Sequence, residues 1–231
     1  MAEKKVPLHV ALIPDGNRRW AKKKGLVATA GHVRAGAYEN LYPLLKEARD
    51  LGIKYISLWG FSTENWKREK REVDKILDVI SKGLDRLGDK IEKEKFSIKH
   101  IGRKDRLPKE IIDKMNRLEV KTSGNKELCV LLCIDYGGRD EIVRAVKKFV
   151  ETGKKDCSEE EFMNYLDTAR IPEPDLLIRT GNDNRLSGFM PFQSTYAELL
   201  FLDKYFPDFK PEDLRKAVED FGKRDRRFGA G

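Results

Sequence analysis

HVALIPDGNRRW, residues 9–20, sets the reading of the chain. His9–Ile13 is a short run of the buried type, bounded by Pro14-Asp15 and a glycine-containing turn, so it reads as a strand. Working outward, 31–51 reads as a helix stopped by Gly52 as its cap. Ile53–Phe61 (IKYISLWGF) is β-branched and aromatic, the composition of a strand. From Arg68 to about Phe96, Val73, Ile76, Leu77, Ile80, Leu84, Leu87 and Ile91 recur every three or four residues and predict a long amphipathic helix. Further strands are expected at 96–101, 127–134, 175–178 and 196–202, and helices at 109–119, after Tyr136-Gly137-Gly138-Arg139 as far as Val150, and at 211–221. Strands alternating with helices imply an α/β fold. Its central, mostly parallel sheet is surrounded by helices, and ligands gather at the carboxyl ends of its strands.

The 231 residues fit one domain, 1–231, and no repeat or linker divides them. Lys and Arg exceed Asp and Glu by 47 to 39, a net charge of +8, which suits an anionic partner: nucleic acid, an acidic membrane surface or a phosphorylated small molecule. No apolar run approaches the roughly 20 residues of a membrane-spanning helix. The apolar stretch near the N-terminus breaks at Pro14-Asp15, so it reads as a strand and not a signal peptide. Three cysteines without Cys-x-x-Cys spacing make neither a disulfide framework nor a zinc knuckle, and a cytoplasmic location is expected.

Unusual polar residues fall where strands end. Asp15, Gly16, Asn17, Arg18, Arg19 and Trp20 follow the first strand. A carboxylate there suits magnesium, which takes hard oxygen ligands together with substrate phosphate oxygens, and Gly16 lets backbone approach a ligand. The competing reading is an Asp cap beside a solvated basic run. Ser62, Thr63, Glu64, Asn65, Trp66 and Arg68 close the second strand, where Ser62 or Thr63 could equally be a helix cap and Trp66 core. Arg179 and Arg185, with Leu186 and Ser187, flank a Gly/Asn-rich loop after an apolar strand and read as a fork for a diphosphate, against a plain surface loop. Glu198 is a lone acid in an apolar run, a salt-bridge partner or cap more often than a metal ligand. His32 by itself reads as structural.

Taken together, HVALIPDGNRRWAKKKG, Gly31-His32, FSTENWKR with Glu72-Val73, YGGR at 136–139, DLLIRT…RLS, YAEL and RRFG resemble the cis-prenyltransferases, the undecaprenyl diphosphate synthase-like family, from about His9 to Gly229. The resemblance implies a homodimer with a hydrophobic tunnel in each subunit, a short flexible N-terminus at 1–7 and a dimer-site motif at 226–231. It implies a magnesium-dependent reaction in which an allylic prenyl diphosphate loses diphosphate, isopentenyl diphosphate attacks, and proton loss leaves a Z double bond. By match, Asp15 is the magnesium-binding aspartate and Asn65 the asparagine linked to proton removal. Gly16, Asn17, Arg18 and Arg19 cradle the donor diphosphate beside His32. Arg179, Arg185 and Ser187 clamp isopentenyl diphosphate, Glu198 is a second metal-binding acid, and Arg227 and Gly229 reach into the partner's site. The helix from Val73 to Ile91 is a tunnel wall. Peripheral membrane association through the lipid product is the implied alternative to a purely cytoplasmic enzyme.

The chain departs from the family pattern at Ala28, where an arginine usually contacts the donor diphosphate. It departs also at Asp135 in place of asparagine, at Glu69 in place of proline, and at Asn182-Asp183 in place of Gly-Glu. A weaker grip on one diphosphate narrows the gap between acceptors, so a permissive acceptor is expected. The alternatives are therefore the same chemistry with a second allylic diphosphate or an alcohol as acceptor. A non-catalytic partner subunit ranks below these because the motif residues are present. Nucleic-acid binding ranks last, since the diphosphate sites account for the basic residues.

Overall fold

The computed structural model describes residues 5–91 and 93–224. Every residue of β1 (His9–Ile13) is buried, and its side chains alternate between two cores. Val10 and Leu12 pack into a large cluster with α3 (Tyr38–Asp50), α4 (Lys70–Ile91), α5 (Lys109–Thr122) and α8 (Pro211–Gly222). Ala11 and Ile13 meet Tyr136, Phe189 and Met190 on the other face. A strand buried on both faces belongs inside a parallel sheet. Alongside β1 run β2 (Tyr55–Ser62) and β5 (Leu176–Arg179); β4 (Leu128–Tyr136), β3 (Phe96–Ile101) and β6 (Glu198–Phe201) complete the order β3-β4-β2-β1-β5-β6, with every pairing parallel.

The expected strands and long helices are present with ends shifted by a few residues. Two local readings change. The segment 31–51 is not one helix but two, α2 (Ala28–Ala35) and α3, broken at Gly36-Ala37. The chain turns extended at Ala37, and at Gly36 it passes close to α4, where a Cβ would lie 2.6 Å from Val79 Cγ1. The turn after β1 runs directly into a helix, α1 (Asn17–Lys23), and a further helix, α7 (Glu159–Met163), follows α6 (Gly138–Glu151). Among the described residues no helix is long and apolar enough to cross a membrane.

His9 anchors β1 at its buried amino end. Its Nδ1 lies 2.7 Å from the Pro172 carbonyl oxygen and its Nε2 2.8 Å from Ser57 Oγ. Burial pushes its pKa down to about 4. The unfolded chain therefore binds more protons below pH 6.5, and the stability contributed by neutral His9 is lost as pH falls from about 6.5 to 4. A loss on the order of 3 kcal/mol follows from that difference. Urea denaturation of wild type and His9→Gln at pH 7 and pH 4.5 checks this: the wild type should lose more stability on acidification than the variant.

Candidate active site

Strand order reverses around β1. The chain moves from β1 to β2 on one side and returns much later to β5 on the other, so the carboxyl ends of β1 and β5 open a crevice. Asp15 lies two residues past β1 and Arg179 closes β5. Arg179 Nη2 donates to Asp15 Oδ2 at 2.7 Å. Thr180 locks the same corner: its hydroxyl accepts the Asp15 N–H and donates to the Asp15 carbonyl oxygen, both at 2.9 Å.

Arg179 is only 4% exposed, and its Nη1 donates to Ser187 Oγ at 2.8 Å and to the Arg185 carbonyl. Arg185 is exposed and pairs with Asp183 at 2.7 Å. The two guanidiniums therefore do not form one fork. Arg179 is a buried strut between Asp15 and Ser187, with its Nε unpartnered, and Arg185 is the outer cation. Leu186 packs against the second core and not into the site.

Gly16 has φ +90°, and a Cβ there would lie 2.5 Å from the Tyr205 ring, so only glycine fits this turn. Its N–H donates to Asp15 Oδ1 at 2.5 Å, and its carbonyl starts α1 by accepting the Trp20 N–H. The start of α1 thereby presents Asn17, Arg18 and Arg19 beside Asp15. Arg19 bridges Asp183 at 2.8 Å and Asp15 at 3.5 Å. Asn17 Oδ1 and Trp20 Nε1 are buried without partners. Trp20 does not line the cavity below; Asn17 does.

Past β2, Asn65 Oδ1 accepts the Ser62 N–H at 3.1 Å, and Thr63 donates to Glu64 at 3.0 Å. Trp66 points away, donating from Nε1 to Asp135 Oδ1 at 2.9 Å. Asp135 is fully buried, and Arg106 binds both its oxygens while lying over the Trp66 ring. The departure from asparagine at this position thus comes with a compensating cation. Arg68 donates to Glu72 at 2.7 Å, and His32 Nε2 lies 3.5 Å from the same carboxylate. Burial, then the Arg68 charge, holds the His32 pKa below its usual value. Burial raises Glu72, but the Arg68 hydrogen bond and charge prevail and hold it below the carboxylate range.

Asp15, Gly16, Asn17, Arg18, Arg19, His32, Ser62, Asn65, Arg68, Arg179, Arg185 and Ser187 all border one cavity of about 1020 Å³. Beyond them its lining turns apolar, with Leu58, Ile76, Ile80, Leu84, Leu87 and Leu132. The structure does not bring Glu198 to Asp15. Register places Glu198 level with Leu176 and Val10, at the amino ends of the strands, where it pairs with Arg224 at 2.7 Å. Asp15 lies five residues further along, roughly 15 Å at strand rise. Arg227 and Gly229 lie outside the described residues.

Among the described residues no cluster of three His, Cys, Asp or Glu side chains could hold a metal unaided. Asp15, one-third exposed at the cavity, fits magnesium as one carboxylate of a set completed by substrate phosphate. Sequence reading had no signal for Arg106; Thr180 closed the quoted DLLIRT segment but had no role assigned, and the roles of both arise from contacts between distant segments. Asp183, noted only as a departure, turns out to order both Arg19 and Arg185.

Comparison with known proteins agrees with this geometry. A family model described as "Putative undecaprenyl diphosphate synthase" matches residues 13–229. An isoprenyl transferase of Aquifex pyrophilus is 43% identical over 97% of this chain and 96% of its own length. An isoprenyl transferase of Thermotoga maritima is 43% identical over 97% of each chain. The crystal structure of lavandulyl diphosphate synthase from Lavandula x intermedia, in complex with dimethylallyl diphosphate, superposes with a TM-score of 0.92 at 35% identity, covering 97% of this chain and 98% of that one. A polar cluster at a parallel sheet's switch point, opening into an apolar interior, recurs here with the family's sequence along nearly the whole chain, which belongs to the undecaprenyl diphosphate synthase family of cis-prenyltransferases.

Proposed function

We propose that this prenyltransferase condenses isopentenyl diphosphate with an allylic prenyl diphosphate to give a Z-polyprenyl diphosphate, with magnesium required. The observation that carries the reading is the single cavity, which joins a diphosphate-binding cluster to an apolar interior fit for a prenyl chain. In this reading Arg18, Arg19, Asn17 and His32, which border the cavity, would hold the donor diphosphate, and Arg185 with Ser187 the acceptor diphosphate. Asp15 would hold magnesium with the donor's phosphate oxygens, where the cation neutralises charge on the leaving group. The donor's C–O bond breaks and diphosphate departs with the bonding pair, the π pair of isopentenyl diphosphate forms the new C–C bond, and the adjacent C–H pair closes the double bond as its proton passes to the released diphosphate. Asn65, its carbonyl already engaged by Ser62, can orient groups at that step with its NH2 but is not itself a base.

Incubation with isopentenyl diphosphate and labelled donors of several lengths, with products separated by mass, tests this; absence of elongated diphosphates would sink it. The same assay reads product length. Gly83 sits inside α4 on the cavity wall, where glycine costs about 1 kcal/mol relative to alanine. A Cβ there would meet only the Gly36 carbonyl oxygen, at 3.8 Å, so space does not demand glycine. Gly83→Leu should shorten the longest product, while Gly83→Ala should fold at least as well as wild type.

A second reading, a second allylic diphosphate as acceptor, draws on the likeness to lavandulyl diphosphate synthase and on Ala28, which borders the cavity where an arginine is usual. Products formed from dimethylallyl diphosphate alone would favour it. For assembly, α6 exposes Val143, Val146 and Val150 along one face, and β6 edges the sheet. These features support a homodimer, and by the family resemblance Arg227 and Gly229 would reach the partner's site. Light scattering should give twice the 26.7 kDa chain mass, and a monomer of full activity would defeat that assembly.

A further inference from the structure

We propose that the rim made by the end of α1, the turn at 24–27 and α2 docks on an anionic lipid bilayer. Val27 is 74% exposed, Leu26 48% and Val33 42%, although aliphatic side chains gain nothing from water. Around them Lys22, Lys23, Lys24 and Arg34 are all exposed, with no ion pair among the described residues. From Gly16 to Tyr38 the sequence holds six Lys or Arg and no Asp or Glu. Aliphatic tips among long cationic side chains match the two layers of a bilayer surface, acyl boundary and anionic headgroups. Nucleic acid would reward the charges but not Val27.

The valines of α6 sit in a different setting: that helix mixes four basic residues with Asp140, Glu141 and Glu151, and its Arg144 and Lys148 are ion-paired, whereas the α1–α2 rim holds no acid at all. Location adds the second argument. Lys22, Gly25, Leu26 and Ala28 border the same cavity as Asp15, so the rim is the mouth of the apolar interior. A docked rim would let a long prenyl chain pass between cavity and bilayer without crossing water. This last consequence rests on the proposed function; the docking itself rests on the surface.

Flotation of the whole protein with vesicles tests it, using phosphatidylcholine alone or mixed with phosphatidylglycerol. Wild type should bind the mixed vesicles at least ten-fold better, and less as salt rises. Each basic residue near an anionic surface is worth about five-fold. Lys23→Gln with Lys24→Gln should therefore weaken binding roughly 25-fold, and Val27→Asp by at least ten-fold. Neither variant should change turnover of short, water-soluble substrates, since these three side chains do not border the cavity. Equal binding by variants and wild type, equal binding to neutral vesicles, or no binding would each overturn the proposal. Vesicle binding without any prenyl product would instead refute the proposed reaction and leave the docking surface standing.

Discussion

Asp15→Ala is expected to lower turnover about 1000-fold, the scale of losing one group that stabilises developing charge. Asp15 accepts Arg179 and the Gly16 N–H, so alanine also leaves a 4%-exposed guanidinium without its hydrogen-bonded carboxylate, with only Asp183 at 3.8 Å remaining. A stability loss of about 1–3 kcal/mol should accompany the kinetic one. Asp15→Asn separates the two effects. It keeps an oxygen for Gly16 but carries no charge for a cation, so its turnover should fall nearly as far while more of the stability is retained. Single-turnover rates and urea denaturation on both variants decide, and near-normal turnover in either would remove Asp15 from the chemistry.

Gly31→Ala should be the most damaging single methyl in the chain. Gly31 lies on α2 where it crosses α1, and a Cβ there would overlap the Asn17 carbonyl oxygen. Backbone cannot rotate aside as a side chain can, so the helices must part or α1 must shift. Overpacking of this kind costs about 3 kcal/mol or more. Because α1 carries Asn17, Arg18 and Arg19, and α2 carries His32, KM for the allylic donor should rise along with the loss of stability. A variant with unchanged thermal stability and unchanged KM would show that the crossing tolerates a methyl group.

Much of this architecture was legible because strands and helices write their periods locally. His9–Ile13 and Phe96–Ile101 fall where expected, and the three- and four-residue spacing from Val73 to Ile91 marks α4. That pattern records only that a face is apolar. It does not separate Val73 and Ile91, packed in the core, from Ile80 and Leu84, which border the cavity. The close approach at Gly36, beside the break at Ala37, was invisible for a similar reason, since the neighbour it accommodates is Val79, more than forty positions away.

The site divides along the same line. Residue types at strand ends, and their resemblance to a family, were enough to name Asp15, Asn65, Arg179 and Arg185. Sequence alone therefore determined the strands and the long helices α4, α5, α6 and α8, though not the division of 31–51 or the short α1 and α7, and it determined that polar residues gather where strands end. Tertiary structure decided that Arg179 is a buried strut, that Asp135 is neutralised by Arg106, and that Glu198 stands at the far end of the sheet. Each depends on register or contact between segments distant in sequence, and hydrogen-bonded pairing across a sheet fixes those distances where local periodicity carries no information about them.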